Sequence, residues 1–314
     1  MDVAALSLSQ AGTGIITMKS LRNLAAALLL GLMPANASAQ AAAQAAAEAP
    51  HPALWRVADE DTVIYLFGTV HALPRDVDWY RGLVAVALES SLELVSELGE
   101  PQASEFQAAV TRHALLPGGK TLRDQLSEAE RKRYEAALRK LGMSPASLDP
   151  MKPWFAGITI TMTALQKEGI GGRQGVETFI MERSRKLGQK QVALETMDYQ
   201  FAQFDSLADD AEVRYLMEVI DNLDELTPSL MKIIAAWQAG QADELARIIN
   251  EEQSDPALVD VLLYPRNKAW ADWIRARMDK PGIAFIAVGA GHLAGQGSVQ
   301  DELASRGLTS SRVQ

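Results

Sequence analysis

Two stretches near opposite ends of the chain share one pattern, and that pattern limits what the chain can fold into. Residues 62–67 are a run of β-branched and aromatic residues that ends at Gly68, with His71 three positions on. Residues 283–288 form a second apolar run, followed by Gly289-Ala290-Gly291-His292. Short apolar runs bounded by turn signals read as buried strands. Each Gly-x-x-His then falls where a strand leaves the sheet, the usual place for ligand chemistry in open sheets covered by helices. Glycine at that point is expected to let the backbone turn sharply. The chain has four histidines, and two of them share this setting.

The segments between the two runs fill in the fold. Residues 54–57 and 63–67 read as a β-hairpin, followed by a helix over about 78–90 and a carboxylate-interrupted strand over 92–98. That is a βαβ unit, so the 92–98 strand should run parallel to the 63–67 strand. A capping box at Ser127-Glu128-Ala129-Glu130 opens a helix to about Leu141, and Pro153 suits the first turn of another. Gly171-Gly172-Arg173-Gln174-Gly175 reads as a flexible loop before a helix over 176–187, and 191–194 as a short strand. From Met197 to Met278 the pattern is amphipathic helix, broken near Asn222, Gly240 and Pro256. After the 283–288 strand come a helix over about 298–305 and a terminal strand near 309–313. The expected fold is α/β, with α+β as the other option: a central mixed sheet built from the N- and C-terminal segments, carrying a large helical insertion.

Composition excludes some functions. A formal net charge of −10 does not suit a nucleic-acid partner, because phosphate binding needs clustered Lys and Arg. The absence of cysteine removes disulfides, thiolate metal sites and cysteine nucleophiles together. At the N-terminus, Met18-Lys19-Ser20-Leu21-Arg22 is basic, residues 24–33 are apolar, and Ala37-Ser38-Ala39 gives a small-x-small cleavage pattern. This is the three-part pattern of a secretory signal peptide, with an apolar run too short for a stable membrane span. The expected organisation is a signal over 1–39 with translation starting at Met18, an Ala/Gln-rich leader over 40–50, and a single domain over 51–314. The mature protein is expected in the periplasm or secreted, with no stable membrane span after cleavage.

The histidines are the first candidates for chemistry, since a neutral imidazole binds metals and moves protons near neutral pH. His71 and His292 converge if their strands are neighbours; the alternative is two unrelated structural histidines. Glu97 lies near the C-terminal end of its strand, at the same sheet edge as His71, with Glu93 on the same face. Its alternative is a solvated strand-end carboxylate. Glu177, Glu195 and Arg266 form a second tier: Arg266 is placed to bind a substrate carboxylate or oxyanion, or else to pair with Glu177 or Glu195. His51 and His113 read as surface residues, and Trp237, Trp270 and Trp273 as core.

Taken together, Leu66-Phe67-Gly68-Thr69-Val70-His71-Ala72-Leu73-Pro74, the Glu97 strand and Val288-Gly289-Ala290-Gly291-His292-Leu293-Ala294-Gly295 resemble the TraB/GumN family, which includes PrgY and the Tiki-type proteins. Trp55-Arg56, Lys152-Pro153-Trp154, Gly175-Val176-Glu177-Thr178, Leu194-Glu195-Thr196 with Gln200, and Arg266-Asn267 with Trp270 look like further landmarks in the family order. The resemblance implies a site of His71, Glu97 and His292. Tiki-type members imply a metal-dependent peptidase with manganese or cobalt, zinc being a third option, in which two imidazoles and a carboxylate activate a bound water. The related erythromycin-esterase-like folds imply activation of water by histidine and glutamate with no metal. The expected partner is a peptide or a small acyl or ester substrate. A non-enzymatic periplasmic protein that binds or sequesters a ligand in the same pocket is the remaining expectation.

Overall fold

The computed structural model describes residues 49–74, 77–100, 102–171, 175–252 and 256–314. The signal segment, most of the leader and the centre of the Gly171–Gly175 loop lie outside the described residues. Six strands form one mixed sheet: β1 (Leu54–Ala58), β2 (Thr62–Thr69), β3 (Glu93–Ser96), β4 (Lys190–Ala193), β5 (Gly282–Gly289) and β6 (Ser310–Arg312). Their spatial order is β4-β3-β5-β2-β1-β6. The two histidine-bearing strands lie side by side at the centre and run parallel, with Gly68 opposite Val288 and Thr69 opposite Gly289. β3 is parallel to β2 as expected, but β5 has entered between them, so the βαβ unit straddles a strand from the far end of the chain.

The buried strands alternate between two cores. Phe67, Leu94, Phe285 and Ala287 face one side, and Leu66, Val95, Ile286 and Val288 the other, as the two-residue period of a strand requires. On the first side lie α1 (Gly82–Ser90), α5 (Val176–Lys186) and α8 (Leu226–Gln238); on the second lie α11 (Tyr264–Met278) and α12 (Val299–Ser305). Around them the insertion contributes α2 (Ala103–Ala109), α3 (Glu128–Lys140), α4 (Pro153–Lys167), α6 (Met197–Asp205), α7 (Asp209–Asp221), α9 (Ala242–Glu252) and α10 (Pro256–Leu262). α3, α4 and α7 enclose a core of their own around Tyr134, Leu138, Ile160 and Leu216. The insertion also sends β4 back as the edge strand beside β3. Among the described residues no helix is long and apolar enough to cross a membrane.

Local signals explain most boundaries. The predicted capping box is present: Ser127 N–H donates to Glu130 at 2.8 Å, and Glu130 N–H donates to Ser127 Oγ. Three expectations need correction. The first helix begins at Gly82 rather than near 78, because Trp79 is drawn into an aromatic cluster with Phe67, Phe179 and Trp237. His113 is not a surface residue; it lies in a π-helical turn at 110–114 with its side chain 12% exposed, between Asp205 and Asp198 at 3.1 Å each. Gly68 does not turn the chain. It sits inside β2, where a Cβ would come within 3.0 Å of Ala290, so it is there to let the two central strands' exits approach.

Candidate functional site

The site forms at the C-terminal edge of the parallel strands. β2 delivers His71, β3 delivers Glu97 one residue past its end, and β5 opens into a 3-10 turn, Ala290–Leu293, that carries His292. The first turn of α6 and the start of α11 close over these, bringing Gln200 and Arg266. His71, Glu97, Glu177, Gln200, Phe204 and Arg266 line a cleft of about 580 Å³. His292 lies behind that wall, 5% exposed.

At the floor, one guanidinium gathers the polar groups. Arg266 donates through Nη2 to Glu97 Oε2 at 2.6 Å and through Nε to Glu195 Oε1 at 2.9 Å. Its Nη1 meets His292 Nε2 at 3.1 Å and Leu262 O at 3.2 Å, and its plane sits 4.9 Å above the Trp270 ring. Trp270, one helical turn on from Arg266, donates its indole N–H to Glu195 at 2.8 Å. Gln200 donates to both Glu195 (3.0 Å) and Glu97 (3.3 Å). The other Glu97 oxygen accepts the Gly289 N–H at 2.6 Å. A Cβ at Gly289 would stand 3.2 Å from that oxygen, so the second motif's glycine admits the carboxylate. Gly291 makes a similar close approach to Ile249.

This arrangement fixes the state of His292. Asn267 donates its Nδ2–H to Gly297 O at 2.8 Å, which turns its Oδ1 toward His292 Nδ1 at 2.5 Å. His292 therefore donates from Nδ1 and accepts Arg266's N–H at Nε2, which makes it a neutral ring. Burial pushes its pKa down to about 3; Glu97 opposes the shift and Arg266 adds to it. Glu97 is held below the usual carboxylate range: burial pushes it up, but Arg266, the Gly289 N–H and the charged His71 ring outweigh that.

His71 differs in every respect. Its ring is 77% exposed, and Nδ1 lies 2.9 Å from Glu177 Oε1. That carboxylate raises the imidazole pKa to about 9, although water around so open a ring screens part of the attraction. Glu177 reaches it from the first turn of α5, which docks through Val176 N–H to Val70 O at 3.1 Å. A Cβ at Gly175 would run into the His71 carbonyl, so the close contact of α5 with the histidine loop needs glycine there.

The structure thus joins Glu97, Glu195, Arg266 and His292 in one buried network and places His71 with Glu177 on the cleft wall. Arg266 pairs with Glu195 and Glu97, and Glu177 pairs instead with His71. Glu93 is at the opposite end of β3, paired with the buried Arg277. Sequence reading placed Asn267 and Gln200 as landmarks without assigning what they do, and read Trp270 as core, where it lies while also serving Glu195. The one signal for them is the Arg266-Asn267-x-x-Trp270 spacing, which puts Arg266 and Trp270 on one face of a helix. The three residues implied as metal ligands do not fit an ion as they stand. Arg266 occupies the lone pairs of His292 Nε2 and Glu97 Oε2, and among the described residues no three His, Asp or Glu side chains converge as ligands.

The family model described as "TraB/PrgY/gumN family" matches residues 53–312, and the chain belongs to that family. It is also 24% identical over 244 residues to the uncharacterized protein YbaP of Escherichia coli (strain K12), a match covering 76% of this chain and 87% of YbaP. The uncharacterized protein YbaP of Shigella flexneri matches to the same extent. No solved structure matches the chain.

Proposed function

We propose that this TraB/PrgY/gumN family member is a hydrolase of a peptide, ester or related acyl bond, with His71 moving the proton and no metal in the chemistry. The observation that carries this reading is the His71–Glu177 pair at 2.9 Å on the wall of the cleft. An imidazole ion-paired at Nδ1 with a carboxylate leaves Nε2 for whatever enters, an arrangement that suits a general base for water. Its raised pKa leaves the ring charged near neutrality, so its basic form grows as pH climbs toward 9. Glu97 already accepts hydrogen bonds at both oxygens and stays ionised, so it holds the floor and the Gly289 amide in place. His292 is neutral, buried and engaged at both nitrogens, and acts through Arg266.

The test is turnover on peptide and ester panels by wild type, His71→Ala and Glu177→Gln, together with metal content. Activity lost in His71→Ala, with a limb that rises toward pH 9 in wild type and shifts toward 6.5 in Glu177→Gln, supports the reading. Stoichiometric manganese, cobalt or zinc that is lost in His71→Ala restores the metal-dependent reading. No metal and no turnover, with a ligand retained in the cleft, makes the chain a binding or sequestering protein. We place the protein outside the cytoplasm on the basic, apolar and small-x-small pattern of residues 18–39. Intact mass of the exported protein checks this: the expected chain begins at Gln40, and one still carrying residue 1 overturns it.

A further inference from the structure

α6 supplies two side chains of the cleft, yet none of its nine residues is fully buried. Gln200 reaches from it to Glu97 at 3.3 Å and Glu195 at 3.0 Å, and Phe204 forms part of the cleft wall. Most helices of globular proteins are held by a buried apolar face. A short helix without one depends more on its polar contacts. We propose that His113 is a positioning residue for the cleft: from the π-helical turn at 110–114 it pins α6 through both ring nitrogens and so holds Gln200 and Phe204 at the site. The proposal deepens the hydrolytic reading above and rests on it for its kinetic arm alone.

The contacts are specific to the two ends of the helix. His113 Nε2 lies 3.1 Å from Asp198 Oδ1, and Nδ1 lies 3.1 Å from Asp205 Oδ2. Asp198 is in the first turn of α6 and Asp205 is its last residue. Seven positions apart, they share one face of the helix, while Gln200 and Phe204, four apart, share another that is turned to the cleft. Arg112 also pairs with Asp198 and Lys152 with Asp205, and Lys152 N–H donates to Ala114 O at 2.8 Å. Arg112 is open to water, where an ion pair contributes little. The His113 side chain is enclosed, and it is the group that touches both aspartates. π-helical turns are rare and gather at functional sites. This one turns Arg112 and His113, neighbours in sequence, onto the same oxygen of Asp198.

The experiment compares the full chain with His113→Gln and His113→Ala by hydrogen exchange and by turnover, after circular dichroism confirms folding. Exchange in α6 should rise about 10-fold on loss of the pin, with α3 unchanged as the internal reference. KM should rise about 10-fold with kcat held to within about twofold, because His71 and Glu177 stand on β2 and α5 and keep their places. If the His113 variants do not fold, Asp198→Asn and Asp205→Asn weaken the same contacts from the other side and take their place. α6 exchange that stays at the wild-type rate overturns the proposal, and so does a rise shared equally by α6 and α3. A kcat that falls while KM holds also overturns it. A wild type without turnover sinks the hydrolytic reading instead, and the exchange arm then decides this one.

Discussion

The two Gly-x-x-His segments have the same spacing and a similar strand before them, yet their histidines end in opposite environments. His71 is open to water, charged near neutrality and paired to a carboxylate from a helix; His292 is enclosed, neutral and fixed between an amide and a guanidinium. The cause lies in the path of the chain beyond each glycine. After β2 the backbone runs out over the sheet edge to meet α5, while after β5 it coils at once into a 3-10 turn beneath α11. Spacing gives a histidine its place along a strand, and the next element decides its chemistry.

Mutation should separate the two. His71→Ala should lower kcat/KM by about 100- to 10,000-fold, the usual worth of a positioned acid–base group. Its urea midpoint should move little, since an exposed side chain contributes little to folding. His292→Ala should do the reverse first, costing about 3 kcal/mol in urea unfolding by leaving the Asn267 Oδ1 without its buried partner and Arg266 Nη1 with one acceptor fewer. A His71→Ala protein that unfolds, or a His292→Ala protein of full stability, breaks the distinction.

Acidity gives a second separation, with opposite signs. His71 has its folded pKa raised to about 9, so its contribution is complete below its ordinary value of 6.5 and is lost as pH rises through 9. His292 has its folded pKa lowered to about 3, so the unfolded chain binds the extra proton and stability is lost as pH falls from 6.5 toward 3. Urea unfolding across pH should show both slopes, the alkaline one shallow because the His71 ring is open to water. Glu177→Gln should remove the alkaline slope and His292→Ala should flatten the acid one.

Smaller changes sharpen the same contrast. Gly175→Ala places a methyl against the His71 carbonyl; it should cost about 1–3 kcal/mol and weaken turnover by moving the His71–Glu177 pair apart. Trp270→Phe keeps the ring but leaves a Glu195 oxygen with one donor fewer, a loss of roughly 1 kcal/mol. Thermal or urea unfolding checks both, and the second should leave the pH profile of turnover unchanged.

Much of the fold could be read from the sequence, because apolar runs and caps report on local geometry. The β2 and β5 runs, the Ser127 box and the Pro153 start are all where local patterns place them. The entry of β5 between β2 and β3 was not legible, since strand order depends on contacts between residues far apart in sequence. At the site, His71, Glu97 and His292 do gather at one sheet edge, but the pairing among the second tier was open. Arg266 could have met Glu177 or Glu195, and only the crossing of α11 over the sheet decides for Glu195. His113 shows the same limit: two aspartates on α6 bury it, and nothing near it in the sequence names them.

The placement of β5 also governs when this protein can become itself. β2 ends at residue 69, and its central partner does not begin until residue 282. Until that strand arrives, β2 and β3 have a gap between them one strand wide, and the sheet cannot close. Folding is therefore held back by the long loop that must be gathered before the middle pair can form. A chain cut before residue 282 loses the strand that joins the two sides of its sheet, so it should not reach this fold. The native sheet is assembled only once residues 282–289 are free to enter it.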